Sequence, residues 1–258
     1  MSGPLAGKCG VVVGVANKRS LAWAAARALA AQGAKVALTY QGERLREGVE
    51  KLAKEIGPDT PVLPCDVIHL RQMDRLAVTL RQKFGGIDFL VHSIAYAPTE
   101  DLKGRFRQIT RKGFHRAMDV SVYSLVALCH RLAPLMKDRN ASVVTLSYIG
   151  STRVIPNYNL MGVAKAALES SVRYLAYDLG EEGIRVNAVS AGPVRTLSAS
   201  AVGDFVKILD HVERTSPLHR NIEQEDVGGI VAFLCSPAAR NITGGILFVD
   251  SGSHVMGV

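Results

Sequence analysis

Short apolar, β-branched runs take turns along this chain with longer stretches whose apolar residues recur at helical spacing. CGVVVGV is followed by the Ala-rich SLAWAAARALAAQ, which Gly33 is placed to close as a C-cap. KVALTY then predicts a second strand, VEKLAKEI a helix and PVLPCDV a third strand. A helix is expected over Leu70 to Phe84, a strand at IDFLVHSIA, one helix from about Gly113 to Met136, and a strand at ASVVTLSY. Beyond these come a long helix from about Asn157 to Gly180, the strand IRVNAVSA, a helix around Glu225 to Leu234 and the strand ILFVDSG. Runs such as VVVG and FLVH are apolar throughout, as in strands buried on both faces. Seven such strands separated by helices predict an α/β fold with a doubly wound parallel seven-stranded sheet. No linker or repeat divides residues 1–258, so a single domain is expected. The one long irregular stretch is SAGPVRTLSASAVGDFVKILDHVERTSPLHR, and long unpatterned segments in compact domains usually serve as lids or binding loops.

Composition narrows the classes of function. The 258 residues are 48% hydrophobic, enough for a sizeable core. No apolar run reaches the roughly 20 residues of a membrane span and MSGPLAGKCG lacks a signal-peptide core, so a cytoplasmic protein is expected. Cys9, Cys65, Cys129 and Cys235 form no C-x-x-C pair, and neither a disulfide framework nor a metal site is expected. The net charge of +8 suits acidic partners, but the basic residues read as spread along the chain, and nucleic acid is not expected as a partner. The fragment RQMDRLAVTLRQK reads as the solvated face of an amphipathic helix.

Ligands of an open α/β sheet bind beyond the carboxyl ends of the strands. After the first strand comes GVANKRSL, in which Gly14 alone matches a G-x-G-x-x-G turn. The loop reads either as a plain turn capped by Ser20 or as a helix N-terminus offering amides to a pyrophosphate. The second strand stops at Gln41 and Glu43, which favour a free 2′-hydroxyl, with Arg44 pulling towards a 2′-phosphate. Asp66 ends the third strand, either as a turn residue or as an acceptor for an adenine amino group. Ser93, Ile94 and Ala95 form a small-residue run where backbone could approach a ribose.

In IPNYNLMGVAK, Tyr158 and Lys165 stand seven positions apart, nearly two helical turns, and so share a face about 10 Å apart along the axis. A tyrosine hydroxyl can donate to an enolate oxygen, and a nearby ammonium can stabilise the charge and hold a ribose hydroxyl. Tyr148 lies ten residues upstream.

The segment SYIGSTRVIPNYNLMGVAKAALESSVRYLAYDLGEEGIRVNAVSAGPVRTL closely resembles the enoyl-acyl-carrier-protein reductases of bacterial fatty acid synthesis, a divergent branch of the short-chain dehydrogenase/reductases. That branch separates its Tyr and Lys by six residues, as here, where the main superfamily uses three. GVANKRSLA, TYQGE, CDV, DFLVHSIAYAP, SVYSL, SAGPVRT and ITGGILFVDSG extend the likeness along nearly the whole chain, while the closing SGSHVMGV departs from the branch's glycine and aromatic pattern. The resemblance implies a Rossmann-type fold and hydride transfer from NADH, with NADPH as the alternative, to the β-carbon of a trans-2-enoyl thioester. Tyr158 would bond the thioester carbonyl, Lys165 would hold the nicotinamide ribose, and Tyr148 would place the substrate or close over it. Gly14, Ser20 and Leu21 would flank the pyrophosphate, Gln41 the adenosine, Asp66 and Val67 the adenine, and Ser93, Ile94 and Ala95 the ribose. Val194 and Thr196 would meet the nicotinamide, and Ala97 would join Tyr148 and Tyr158 in the substrate site. A substrate-binding loop over about 196–216 would offer Phe205 and Ile208 to the acyl chain; the other reading of that stretch is a mobile surface helix. The implied partners are acyl carrier protein, steered by Lys207 and Arg214, and further copies in a homotetramer. Two other readings stay open: a carbonyl reductase using Ser147, and a non-catalytic dinucleotide-binding module, which would be expected to lose Tyr158 or Lys165.

Overall fold

The computed structural model describes residues 3–196 and 205–257. Seven strands, β1 (Cys9–Val13), β2 (Lys35–Tyr40), β3 (Val62–Pro64), β4 (Phe89–His92), β5 (Ser142–Ser147), β6 (Arg185–Ala191) and β7 (Ile246–Val249), form one sheet in the order β3-β2-β1-β4-β5-β6-β7. Every neighbouring pair is parallel. The order reverses between β1 and β4, so a crevice opens beyond their carboxyl ends, as the Rossmann-type reading expects.

Helices cover both faces. On one lie α3 (Leu70–Phe84), α6 (Ser124–Met136) and α7 (Asn159–Gly180), burying Met73, Leu80, Leu128 and Val172 against Val11, Leu90 and Val143. On the other lie α1 (Leu21–Ala31), α2 (Glu43–Ile56) and α9 (Gln224–Cys235), packing Trp23, Leu29, Leu52 and Val231 on Val12, Phe89 and Val144. Two further helices, α4 (Thr99–Leu102) and α5 (Arg111–Met118), stand above the carboxyl edge, and α8 (Phe205–Thr215) follows β6. The four cysteines are buried and free.

Three expectations are corrected. The helix foreseen over 113–136 is α5 and α6 joined by a π-helical turn, Asp119–Tyr123. There Ser121 uses its hydroxyl to accept from Tyr96 N and donate to Tyr96 O, at 2.9 and 3.1 Å, tying the wider turn to the segment after β4. The stretch read as irregular contains α8, whose apolar positions bury Leu209 and Val212; the rest of the foreseen loop, 197–204, lies outside the described residues. Ser20 occupies the N-cap of α1 but its hydroxyl donates back to Asn17 O at 2.7 Å and does not cap the helix. Gly33 does close α1, with φ +95° and its N–H on Ala30 O at 2.9 Å.

Helices α1 and α9 approach so closely that a Cβ on Gly228 would stand 2.7 Å from Ala24 O, whereas one on Gly229 would meet nothing within 4 Å. The two neighbours should therefore respond to the same substitution with opposite signs. Gly228→Ala is expected to destabilise the fold by about 1–3 kcal/mol through overpacking. Gly229→Ala is expected to stabilise it by up to about 1 kcal/mol through helix propensity. Urea unfolding of the two variants checks this, and equal shifts would refute the close helix contact.

Candidate active site

Parallel pairing sets the strand ends in a row: Val13 lies beside His92, His92 beside Thr145, and Ser147 beside Ser190. The chain leaves β1 through Gly14, whose φ of +106° and whose Cβ position, 2.1 Å from Ser93 O, admit no side chain. Beyond this edge lies a cavity of about 820 Å³. Its walls include Gly14, Ser20, Leu21, Gln41, Asp66, Val67, Ser93, Ile94, Ala95, Lys165, Val194 and Thr196 of the residues singled out for the nucleotide, whereas Glu43 and Arg44 are not among them. Ala97, Tyr148, Tyr158, Phe205 and Ile208 line the same space. Asp66 serves as a turn residue as well, accepting from Ile68 N at 3.2 Å.

The catalytic candidates are set by local backbone geometry. Asn157, at φ +62°, supplies the left-handed residue that turns the chain into α7, a conformation asparagine tolerates. Tyr158 follows as the N-cap, and Lys165 lies in the second turn of α7. The Tyr148 and Tyr158 rings meet edge to face, with centroids 5.0 Å apart at 71°. Gly150 permits this: a Cβ there would stand 2.7 Å from Tyr158 Cδ1 and 3.4 Å from Tyr148 Cδ1. Burial raises the pKa of both phenols, helped at Tyr158 by Tyr148, so each keeps its proton at neutral pH and can act as a donor.

Lys165 is 5% exposed and donates from Nζ to Leu146 O at 2.7 Å. Burial lowers its pKa to about 8, opposed by the negative charge of Glu169. Glu169, one turn further along α7, is itself buried and accepts from Ser147 Oγ at 2.5 Å. That bond bears on the carbonyl-reductase reading, because the Ser147 proton is committed to a carboxylate and is not offered to a substrate carbonyl.

Sequence reasoning missed His92. It is completely buried, with Nδ1 2.9 Å from Thr145 Oγ1 and Nε2 2.8 Å from Ser124 Oγ. Ser124 donates its own proton to Val120 O at 2.7 Å, so the bond from His92 requires the Nε2–H tautomer. Burial, reinforced by the positive charge of Lys165, lowers its pKa to about 3 and holds it neutral. His92 ties β4 to β5 and to the first residue of α6; it is no general base at neutral pH. Asn17, Thr39, Arg116, Met161 and Gly192 also line the cavity without having been singled out. Only their positions just beyond strand ends or on helices facing the edge could have pointed to them.

A parallel doubly wound sheet with a half-buried tyrosine and a buried lysine paired above its carboxyl edge defines a short-chain dehydrogenase/reductase. The six-residue gap and the second tyrosine place the chain in the divergent branch, and comparison with known proteins agrees. The family model described as "Enoyl-(Acyl carrier protein) reductase" matches residues 14–254, and the chain belongs to that family. It is 48% identical over 256 residues to the NADH enoyl-[acyl-carrier-protein] reductase FabI of Aquifex aeolicus, covering 99% of this chain and 94% of that protein. It is 49% identical over 257 residues to enoyl-[acyl-carrier-protein] reductase [NADH] 1 of Rhizobium meliloti, covering 100% and 94%. Among solved structures, the Bacillus cereus reductase with NADP+ and indole naphthyridinone superposes with a TM-score of 0.97 at 48% identity, over 99% of this chain and 100% of that one. The Anaplasma phagocytophilum reductase in complex with NAD gives 0.95 at 45% identity, over 100% and 98%.

The Ser147–Glu169 bond generates a stability prediction. Ser147→Ala should cost about 1.5–3 kcal/mol, since it leaves a buried carboxylate without its donor. Adding Glu169→Leu should recover part of that loss, and a double-mutant cycle by urea unfolding measures the coupling. A coupling near zero would show that the contact contributes nothing.

Proposed function

We propose that this protein reduces the trans-2 double bond of an enoyl thioester carried by acyl carrier protein, using NADH, with Tyr158 as the hydrogen-bond donor to the thioester carbonyl. The observation that carries this reading is the constellation of half-buried Tyr148 and Tyr158 with buried Lys165, lining the same cavity as the nucleotide candidates. The donor set suits a dinucleotide. The first amides of α1, Leu21 among them, have no carbonyl within the helix to bond, while the N–H groups of Trp23 and Ala24 go to Ser20 O. Such a helix start suits a pyrophosphate. Lys18 is paired with Glu55 at 2.7 Å, and Gln41 is neutral, which supports a free 2′-hydroxyl over a 2′-phosphate; Arg44, three residues after Gln41 in sequence, is a cation that would favour NADPH.

A nicotinamide held in the cavity would supply a hydride to the β-carbon. As it arrives, negative charge gathers on the thioester oxygen, and the Tyr158 O–H donates to that oxygen more strongly than to the neutral carbonyl. The ammonium of Lys165 adds positive potential beneath and holds the ribose. Protonation at the α-carbon completes the saturated product. Tyr148 packs on the Tyr158 ring and orients the acyl group, Ala97 lies on the same wall, and Phe205 and Ile208 face the chain from α8 in the substrate loop. Lys207 and Arg214 on α8 steer the carrier, and four copies assemble in the cytoplasm. The exposed Tyr174 and Tyr177 on the outer face of α7 support such an assembly. Among the described residues no helix is long and apolar enough to cross a membrane.

The decisive assay follows nicotinamide absorbance with crotonyl-CoA and, separately, acetoacetyl-CoA. Turnover of the first is expected; oxidation by the second alone would favour a carbonyl reductase. Tyr158→Phe keeps the ring but should lower turnover by about 10²-fold or more, with NADH affinity little changed. If Tyr148→Phe collapses turnover and Tyr158→Phe does not, the donor is Tyr148.

Lys165 also sets a pH dependence. It is charged below about 8 and neutral above. NADH affinity should therefore fall as pH rises through that value, followed by fluorescence titration, and Lys165→Met should weaken binding and flatten the profile. An unchanged profile in the variant would remove Lys165 from the site.

A further inference from the structure

Residues 103–116, KGRFRQITRKGFHR, hold six Lys and Arg residues and no acid. Even when the flanking Glu100, Asp101 and Asp119 are counted, the balance stays positive by three. Lys103, Arg105, Arg107, Arg111 and Lys112 are exposed, and Arg116 reaches the cavity wall. None of the six makes an ion pair with another described residue.

Fold stability does not account for these charges. Arg111 and Lys112 stand in the first turn of α5, at the positive end of its dipole, where cations are disfavoured. Lys112 and Arg116 are a like-charged i,i+4 pair, also unfavourable. The segment is nonetheless held in place. Asp101, 2% exposed, accepts from Thr110 N at 2.7 Å and from Thr110 Oγ1 at 2.9 Å. Gly113 is required beneath it, since a Cβ there would stand 1.6 Å from Asp101 Oδ2. Asn159, next to Tyr158, donates from Nδ2 to Gly104 O at 3.1 Å. The Asp101 charge is thus turned inward to shape the segment, and the cations are left exposed beside the cavity, which Thr99, Leu102 and Arg116 help to line.

We propose that this cationic band is a docking surface for the acidic carrier protein that delivers the substrate, separate in the chain from the α8 cations. The inference rests on the reductase reading above. A protein is favoured over a lone phosphate because Phe106 and Phe114, 53% and 39% exposed, interleave with the cations, and arginine with aromatic residues is the composition of protein interfaces. Its place beside the cavity, bonded through Gly104 to the residue next to Tyr158, suits a carrier whose tethered acyl group must reach Tyr158 while the carrier body stays outside.

The test compares wild type with Arg107→Glu/Arg111→Glu/Lys112→Glu, and with Lys207→Glu/Arg214→Glu on α8. Two substrates are used: crotonyl-carrier protein and the phosphate-free crotonyl thioester of N-acetylcysteamine. The triple variant should lose at least about tenfold in kcat/KM on the carrier-bound substrate at low salt. The small thioester should react as in wild type, and the difference should close by roughly 0.5 M salt. Unchanged carrier kinetics in the triple variant, with collapse in the α8 variant, would overturn the inference in favour of α8 alone. Equal losses on both substrates would overturn it in favour of an effect on the fold. Loss of binding to anionic phosphatidylglycerol vesicles with carrier kinetics retained would assign the band to a membrane surface instead. Direct titration with the carrier separates the two readings. A wild type that reduces neither thioester refutes the reductase, while carrier binding by wild type and not by the triple variant still upholds the band.

Discussion

A lysine ammonium 5% exposed beneath the carboxyl edge is the constraint on which the rest of the site depends. An isolated charge in that position is costly, and the group would lose its proton unless partners compensate. Compensation comes from two sources that the fold brings together: the Leu146 carbonyl at the end of β5, and the carboxylate of Glu169 four residues along α7. The result is a pKa near 8, low enough to register the burial and high enough to leave the charge in place at neutral pH. Glu169 in turn is fastened by Ser147, so strand and helix are locked through one short chain of donors and acceptors. On the far side, His92 lies in the same low-dielectric region and stays neutral, which spares the site a second buried cation.

The tyrosines depend on a different kind of constraint, steric exclusion. Gly150 is closed to any side chain by the Tyr158 ring, and a Cβ on Gly162 would stand 2.8 Å from Gly150 O. Together they let the loop after β5 lie directly on the first turn of α7. That closeness, with Asn157 turning the chain, fixes the edge-to-face tyrosine pair with its hydroxyls protonated. Electrostatics therefore sets the state of Lys165, and packing sets the aim of the tyrosines.

Much of this was legible in the sequence, for reasons that differ from part to part. The strands could be read because burial on both faces leaves continuous apolar runs, and the row of strand ends followed from parallel order alone. Tyr158 and Lys165 could be related because helical periodicity is a property of sequence. The Ser147–Glu169 bond was not legible, since a residue on a strand and one on a helix 22 positions away carry no shared period. The π-turn escaped because it differs from α-helix by a single widened turn held by Ser121 and Tyr96, a tertiary contact. The helix α8 was readable only as an alternative to a loop, because its apolar pattern follows a stretch rich in small residues. Charge was misjudged more plainly: basic residues read as spread along the chain, whereas 103–116 gathers six of the 31. The gathering is interleaved with Gly, Phe, Gln and Thr, so it forms no unbroken run, and only the inward turn of Asp101 shows that the cations lack a partner within the fold.

The same molecule thus carries positive charge in two physically different settings. Inside, one ammonium sits in low dielectric, where a single charge acts strongly over a few ångströms and must be matched by named partners to survive. Outside, the band of 103–116 lies in water, where each charge is individually weak and is screened within about 10 Å at ordinary salt. Five exposed charges, with Arg116 half-buried beside them, can therefore influence a partner only collectively, and only at close approach. Their arrangement costs the isolated fold some stability at the start of α5, yet it leaves the interior electrostatics around Lys165 untouched. This separation lets surface charge change without disturbing the chemistry, because the Leu146 carbonyl and Glu169 hold the buried ammonium independently of anything the surface carries.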